Sequence, residues 1–148
     1  AFGLAGLRLG YCVGQPARIR ELSLLRPVTD SNSLALKCGE YAVDHMDWMQ
    51  SRIADFIAAR EFLYREITSA GLQAYPSHTN FLLVRCPSSQ HARELVAEAR
   101  RCKYLLKGPF SIPPIENCVR ISIGPLDLMR KFWRDCSNAM LRYAARQK

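Results

Sequence analysis

The stretch MDWMQSRIADFIAAREFLYREITSAG, residues 46 to 71, constrains the fold of this chain most. Ile53, Phe56, Ile57, Arg60, Leu63, Tyr64 and Ile67 form one stripe at helical spacing, and Arg52, Asp55, Glu61, Arg65 and Glu66 lie mostly off it. Gly71 suits the left-handed position that closes a helix. At 1.5 Å per residue such a helix runs about 35 Å. That is long for a small domain and suits a helix bridging two domains.

The residues before it carry weaker signals. LGYCVG, residues 9 to 14, reads as a short strand ended by Gly14. Pro16 suits the first position of a helix that holds Ile19, Leu22 and Leu25, and Pro27 stops it. Asp30 or Ser31 can cap a second helix that carries Leu34, Cys38 and Tyr41. Gly39 weakens that helix by about 1 kcal/mol against Ala, which marks a point of close packing.

After the long helix the pattern changes. LQAYPS and NFLLVRC read as strands. Residues 90 to 102 form a helix with Ala92, Leu95, Val96 and Ala99 inward. YLLKGPF is a short strand ended at Gly108-Pro109, and SIPPIEN is a Pro-rich loop. In CVRISIG, Val119, Ile121 and Ile123 share one face, and Cys118, Arg120 and Ser122 the other. A last helix, 126 to 146, turns Met129, Phe132, Trp133, Cys136, Met140 and Tyr143 to one side. The order β-β-α-β-β-α predicts an α+β layer, with helices on one face of a three- or four-stranded, mostly antiparallel sheet.

Composition narrows the function. The 148 residues are 49% hydrophobic and 23% charged, a globular balance with one domain as the length prior. The net charge of +8 suits an anionic partner, but its cations are scattered and no run reaches five. Nucleic acid is therefore not an expected partner. The six cysteines form no CxxC and no metal-ligand spacing with His45, His78 or His91. They read as reduced, buried thiols in a cytosolic protein, with Cys86, Cys118 and Cys136 packed as small hydrophobes. No apolar run approaches 18 residues, so no membrane span and no metal site are expected.

Three places could carry chemistry. Arg8 follows Gly3, Ala5 and Gly6, small residues that let a backbone approach a ligand; it is either a phosphate-binding arginine or a surface arginine. Arg120 sits mid-strand, where an arginine needs an anion: an acid within the fold or a bound carboxylate. Ser77-His78-Thr79-Asn80 contains a Ser/His pair but no nucleophile elbow, so it reads as a turn in which Asn80 bonds the local backbone.

AFGLAGLRLGY, residues 1 to 11, resembles the segment that follows the cofactor lysine in fold-type I pyridoxal-phosphate-dependent aminotransferases. The likeness is best to the histidinol-phosphate aminotransferase-like branch of the class I/II group. Thr79-Asn80-Phe81-Leu82-Leu83-Val84 resembles that family's Thr-Asn-Phe strand, and Val119-Arg120-Ile121-Ser122-Ile123-Gly124 its C-terminal arginine strand. The three motifs stand in register over essentially the whole chain.

The resemblance implies that Arg8 binds the phosphate of pyridoxal 5'-phosphate and Arg120 the substrate carboxylate, with Asn80 a further substrate-binding residue. It implies transfer of an amino group between an amino acid, or an amino-acid-like phosphate ester, and a 2-oxo acid, in a homodimer. Residues 1-45 would end the large cofactor-binding domain and contribute its last strand and helices. Residues 46-71 would be the inter-domain helix and 72-148 the small domain. The Schiff-base lysine would stand just before Ala1, so the chain contributes no catalytic residue and is expected to be an inactive proteolytic or cloned fragment. Residues 1 to about 30, lacking their sheet, are expected to be displaced, swapped or paired with a neighbour. Two alternatives stay open: a decarboxylase of the same branch, and a non-catalytic anion-binding module.

Overall fold

In the computed structural model, residues 5–25 and 31–144 are described, with side chains through residue 142. The expected Pro27 stop, the Asp30 cap, Gly3 and the end of the last helix at 146 lie outside the described residues. The chain divides into two compact units, Ala1–Ile53 and Ala54–Lys148.

In the first unit a 3-10 turn over Ala5–Leu7 precedes helices α1 (Pro16–Ser23) and α2 (Ser33–Asp44). Pro16 occupies the first turn of α1, where its missing N–H costs no helical bond. The cap of α2 is Asn32, whose Oδ1 accepts the Ala35 N–H at 2.7 Å; Ser31 does not fill that role. Ala35 and Ala42 are the buried residues of α2, whereas Leu34 and Tyr41 stand exposed. Gly39 does mark close packing: a Cβ there would lie 2.7 Å from Leu9 Cδ2.

The strand expected over residues 9 to 14 does not form. A strand exists only through its hydrogen-bonded neighbour, and no described residue of this unit forms one. Tyr11 and Val13 are exposed instead.

Helix α3 runs over Met46–Ser69. Its apolar stripe divides. Ala59, Leu63 and Ile67 are fully buried, while Ile53, Phe56 and Ile57 remain exposed. At its end Gly71, at φ +79°, permits the left-handed turn into the sheet.

The second unit holds three antiparallel strands, β1 (Gln73–Ala74), β2 (Phe81–Arg85) and β3 (Cys118–Ser122), in that order. Helices α4 (Ser89–Arg101) and α5 (Leu126–Ala144) complete it. One face of the sheet, carrying Leu82, Val84, Val119, Ile121 and Ile123, shares a core with Leu63 and Ile67 of α3, Leu95 of α4, and Phe132 and Met140 of α5. Burial of each such large side chain contributes about 1.5–3 kcal/mol.

The strand expected at YLLKGPF is reduced to one bridge, in which Lys107 pairs with Arg120. Gly108 at φ +150° and Pro109, which has no N–H, prevent the ladder from continuing. All six cysteines are free. Cys86, Cys118 and Cys136 are buried as the sequence suggests, but Cys12 and Cys102 are exposed and Cys38 is half-buried. Burial pushes the Cys86 thiol up to about 11 and the Cys136 thiol up to about 12.

Candidate functional site

Arg120 sits at the centre of β3. Leu83 of β2 is its register partner on one side. On the other, its N–H donates to the Lys107 carbonyl at 2.7 Å, and its carbonyl accepts the Lys107 N–H at 3.3 Å. The backbone of this residue is thus fixed from both flanks. Its guanidinium carbon lies 5.4 Å from the ring centroid of Phe81. A cation over an aromatic face gains attraction without losing its in-plane donors.

Arg120 Nε is buried and has no hydrogen-bond partner among the described residues. An unmatched buried donor of a charged group is expensive to leave so. The sequence left two partners open for this arginine, an internal acid or a bound anion. Among the described residues no acid pairs with it. Phe81 holds the side chain from beneath, and the orphan donor fits a carboxylate oxygen.

The opposing segment comes close because residue 108 is glycine. A Cβ there would meet the Cys118 carbonyl oxygen at 2.5 Å and Val119 Cα at 3.1 Å. No side chain fits at that approach.

At the head of β2 the turn is held by hydroxyls. Ser77 Oγ accepts the Thr79 N–H at 3.0 Å and lies 2.9 Å from Thr79 Oγ1, which in turn is 3.4 Å from the Phe81 nitrogen. Asn80 takes a different part from the one its sequence suggests. Its carbonyl accepts the Ile123 N–H at 2.8 Å, extending the β2–β3 pairing, and its side chain is exposed. Arg60 Nη1 donates to the Thr79 carbonyl at 3.2 Å. That bond explains a cation on the apolar stripe of α3: its stem packs while its head braces the turn.

Arg8 belongs to the first unit. Its N–H donates to the Ala5 carbonyl at 3.2 Å, closing the 3-10 turn, and its φ is +56°. That left-handed conformation costs a non-glycine residue about 1–2 kcal/mol. Its side chain is exposed and forms no ion pair among the described residues. Ideal Cβ atoms at Gly6 and Gly10 would meet nothing within 4 Å, so the backbone on either side of Arg8 faces open space. The loop offers a cation and room for an anion.

Phe81, Lys107, Gly108 and Arg60 escape a reading that looks for reactive side chains. Phe81 was within reach of the alternation rule. With Leu83 opposite Arg120 and Phe81 opposite Ser122, both Phe81 and Arg120 fall on the non-core face of the sheet. The pairing of Lys107 is main-chain only and leaves no side-chain pattern.

Comparison with known proteins decides the family. The model of class I and II aminotransferases matches residues 1–134. This chain belongs to that family. Among curated aminotransferases, histidinol-phosphate aminotransferase 1 of Burkholderia lata is 35% identical over 127 residues, covering 84% of this chain and 35% of that protein. Histidinol-phosphate aminotransferase of Syntrophus aciditrophicus is 34% identical over 134 residues, covering 88% of this chain and 37% of that protein. The chain therefore spans little more than a third of the length of these relatives.

The crystal structure of histidinol-phosphate aminotransferase from Sinorhizobium meliloti, solved in complex with pyridoxal-5'-phosphate, superposes with a TM-score of 0.80 at 23% identity. It covers 93% of this chain and 38% of that one, and establishes the fold as that of these aminotransferases. Among the described residues no helix is long and apolar enough to cross a membrane.

Proposed function

We propose that this chain serves in a pyridoxal-phosphate-dependent aminotransferase of the histidinol-phosphate type, which passes an amino group between an amino acid, or an amino-acid-like phosphate ester, and a 2-oxo acid. The orphan Nε of Arg120 above Phe81 carries the reading. A guanidinium with a buried, unmatched donor recognises a carboxylate, the group that amino-acid and oxo-acid substrates share. Phe81 and the paired backbone of Lys107 hold Arg120 in place before substrate arrives, which reduces the ordering cost of binding.

The same reading gives Arg8 the cofactor phosphate. An exposed cation, left-handed backbone and open glycines on both sides fit a phosphate group. The cofactor, when bound, supplies the electron sink for amino-group transfer. None of Lys37, Lys103, Lys107, Lys131 and Lys148 stands in the motif that the resemblance assigns to the cofactor lysine, so the 148-residue chain alone is expected to show no turnover. Homodimer formation, Asn80 as a substrate contact and a cytoplasmic setting belong to the same proposal.

The test uses the intact gene product with a panel of amino donors and 2-oxo acids. Oxo-acid formation from the donor supports transamination, and carbon dioxide release in its place overturns it. Arg120→Ala should lower kcat/KM for the donor by about 100-fold or more, the loss of two charge-assisted bonds of about 1.5 kcal/mol each. Arg120→Lys should restore little, because an ammonium lacks the planar fork. Unchanged kcat/KM in both variants removes Arg120 from the carboxylate site.

A further inference from the structure

The second unit contains a thiol pair that the anion-binding reading does not use. Cys102 caps the C-terminus of α4 and is exposed, whereas Cys136, in the middle of α5, is 1% exposed. Cys102 Sγ donates to the Asp135 carbonyl at 3.8 Å, which sets it beside the backbone of the residue preceding Cys136. The Asp135 carbonyl carbon is bonded to the Cys136 nitrogen, so Cys102 Sγ stands against the peptide group that leads into Cys136.

The surrounding contacts hold this crossing in register. Tyr104 Oη donates to Asp135 Oδ2 at 2.9 Å, and its ring stands edge-on to Phe132 with centroids 5.1 Å apart. Further along, Arg142 grips Glu98 with two bonds of 3.1 Å. Cys86, whose N–H donates to the carbonyl of Asn117 at 2.9 Å, lies near Cys118, but both are closed to solvent. The Cys102–Cys136 pair combines an accessible thiol with an adjacent one.

We propose that Cys102 and Cys136 are an oxidisable dithiol, and that their disulfide staples the end of α4 to the middle of α5. Cys102, as its thiolate, attacks one sulfur of a low-molecular-weight disulfide such as glutathione disulfide. A mixed disulfide forms and one glutathione thiolate leaves. Cys136 then gives up its proton and attacks Cys102 Sγ, expelling the second glutathione thiolate. The protein loses two electrons, the glutathione disulfide gains them, and the two thiol protons end on the two glutathione thiolates. Burial holds Cys136 protonated, so the second step is the slower.

The chain is incubated with glutathione disulfide, alkylated, and read by intact mass and tryptic mapping. Alkylated under denaturing conditions, the expected product carries four alkyl groups where the reduced chain, with its six free cysteines, carries six. Its map joins the dipeptide Cys102-Lys103 to the peptide Asp135–Arg142. Its melting midpoint rises by about 5 °C. Cys102→Ser, at an exposed position that leaves the core intact, should abolish the link, and Cys136→Ala should stop at the mixed disulfide on Cys102. A mixed disulfide that persists in the unsubstituted chain, a link to any other cysteine, or a midpoint that falls on oxidation overturns the proposal.

Discussion

In the unit Ala54–Lys148, Leu63, Ile67, Leu82, Leu95, Ile121 and Phe132 are closed off from water by one another. In the unit Ala1–Ile53, Tyr11 is 89% exposed, Val13 84%, Leu24 86% and Leu25 82%. Helices form in both, because a proline at the first turn or an asparagine cap is a local instruction. The strand forms only where a neighbour exists. The comparison separates what a segment does by itself from what it does once something covers it.

The largest effect that could break this contrast is a core truncation. Phe132→Ala should cost about 3–5 kcal/mol in urea unfolding. Leu24→Ala or Leu25→Ala in the first unit should change stability by less than about 0.5 kcal/mol. Equal losses would mean that the first unit has a core as consequential as the second.

A smaller effect sharpens the account of the sheet edge. Gly108→Ala drives a Cβ against the Cys118 carbonyl and should cost about 1–3 kcal/mol. Amide exchange at Lys107 and Arg120 should rise with it, since their paired N–H groups are what the close approach maintains.

The buried thiols add a pH dependence that belongs to the second unit. Cys86 and Cys136 hold their protons up to about 11 and about 12 in the folded chain, and release them near 9 when unfolded. Below 9 both states keep the protons, so their stabilising effect is complete. Above 9 the native state binds more protons than the unfolded one, and stability falls as pH rises toward those values. Urea midpoints measured from pH 8 to pH 11 should decline, and the decline should be shallower in Cys86→Ala.

The smallest effect lies at Arg8. Arg8→Gly removes a left-handed side chain and should leave stability unchanged or raise it by up to about 1 kcal/mol. In the intact gene product the same change should weaken pyridoxal-phosphate binding, measured by cofactor titration. Tight binding retained by the glycine variant would return Arg8 to the role of a surface residue.

The helices of the second unit were legible in detail. Ala92, Leu95 and Ala99 of α4, and Met129, Phe132, Cys136 and Met140 of α5, face inward as their spacing predicts. The failures share one physical cause. Residues 9 to 14 have strand composition but no partner, and YLLKGPF has a partner but a glycine and a proline that end pairing after one bridge. Ile53, Phe56 and Ile57 continue a helical stripe past the core that receives it. Periodicity reports what a segment can bury and not what is there to bury it against. Arg120 was legible as a cation that needs an anion, and Arg8, in the other unit, as a cation among small residues. Phe81 beneath Arg120 required the strand register, and Arg60 required a contact across nineteen positions of sequence.

The single bridge between Lys107 and Arg120 bears on how such a site changes over generations. Its two bonds are main chain to main chain, so they are blind to what most of the neighbouring side chains are. Leu105 and Ile112, both exposed, flank it without joining the core. A border strip fastened this way can accept substitutions at exposed positions such as Leu105 and Ile112, while Gly108 and the core-packed Tyr104 and Leu106 stay fixed, and a lineage can retune what surrounds the arginine while inheriting the rest of the unit intact.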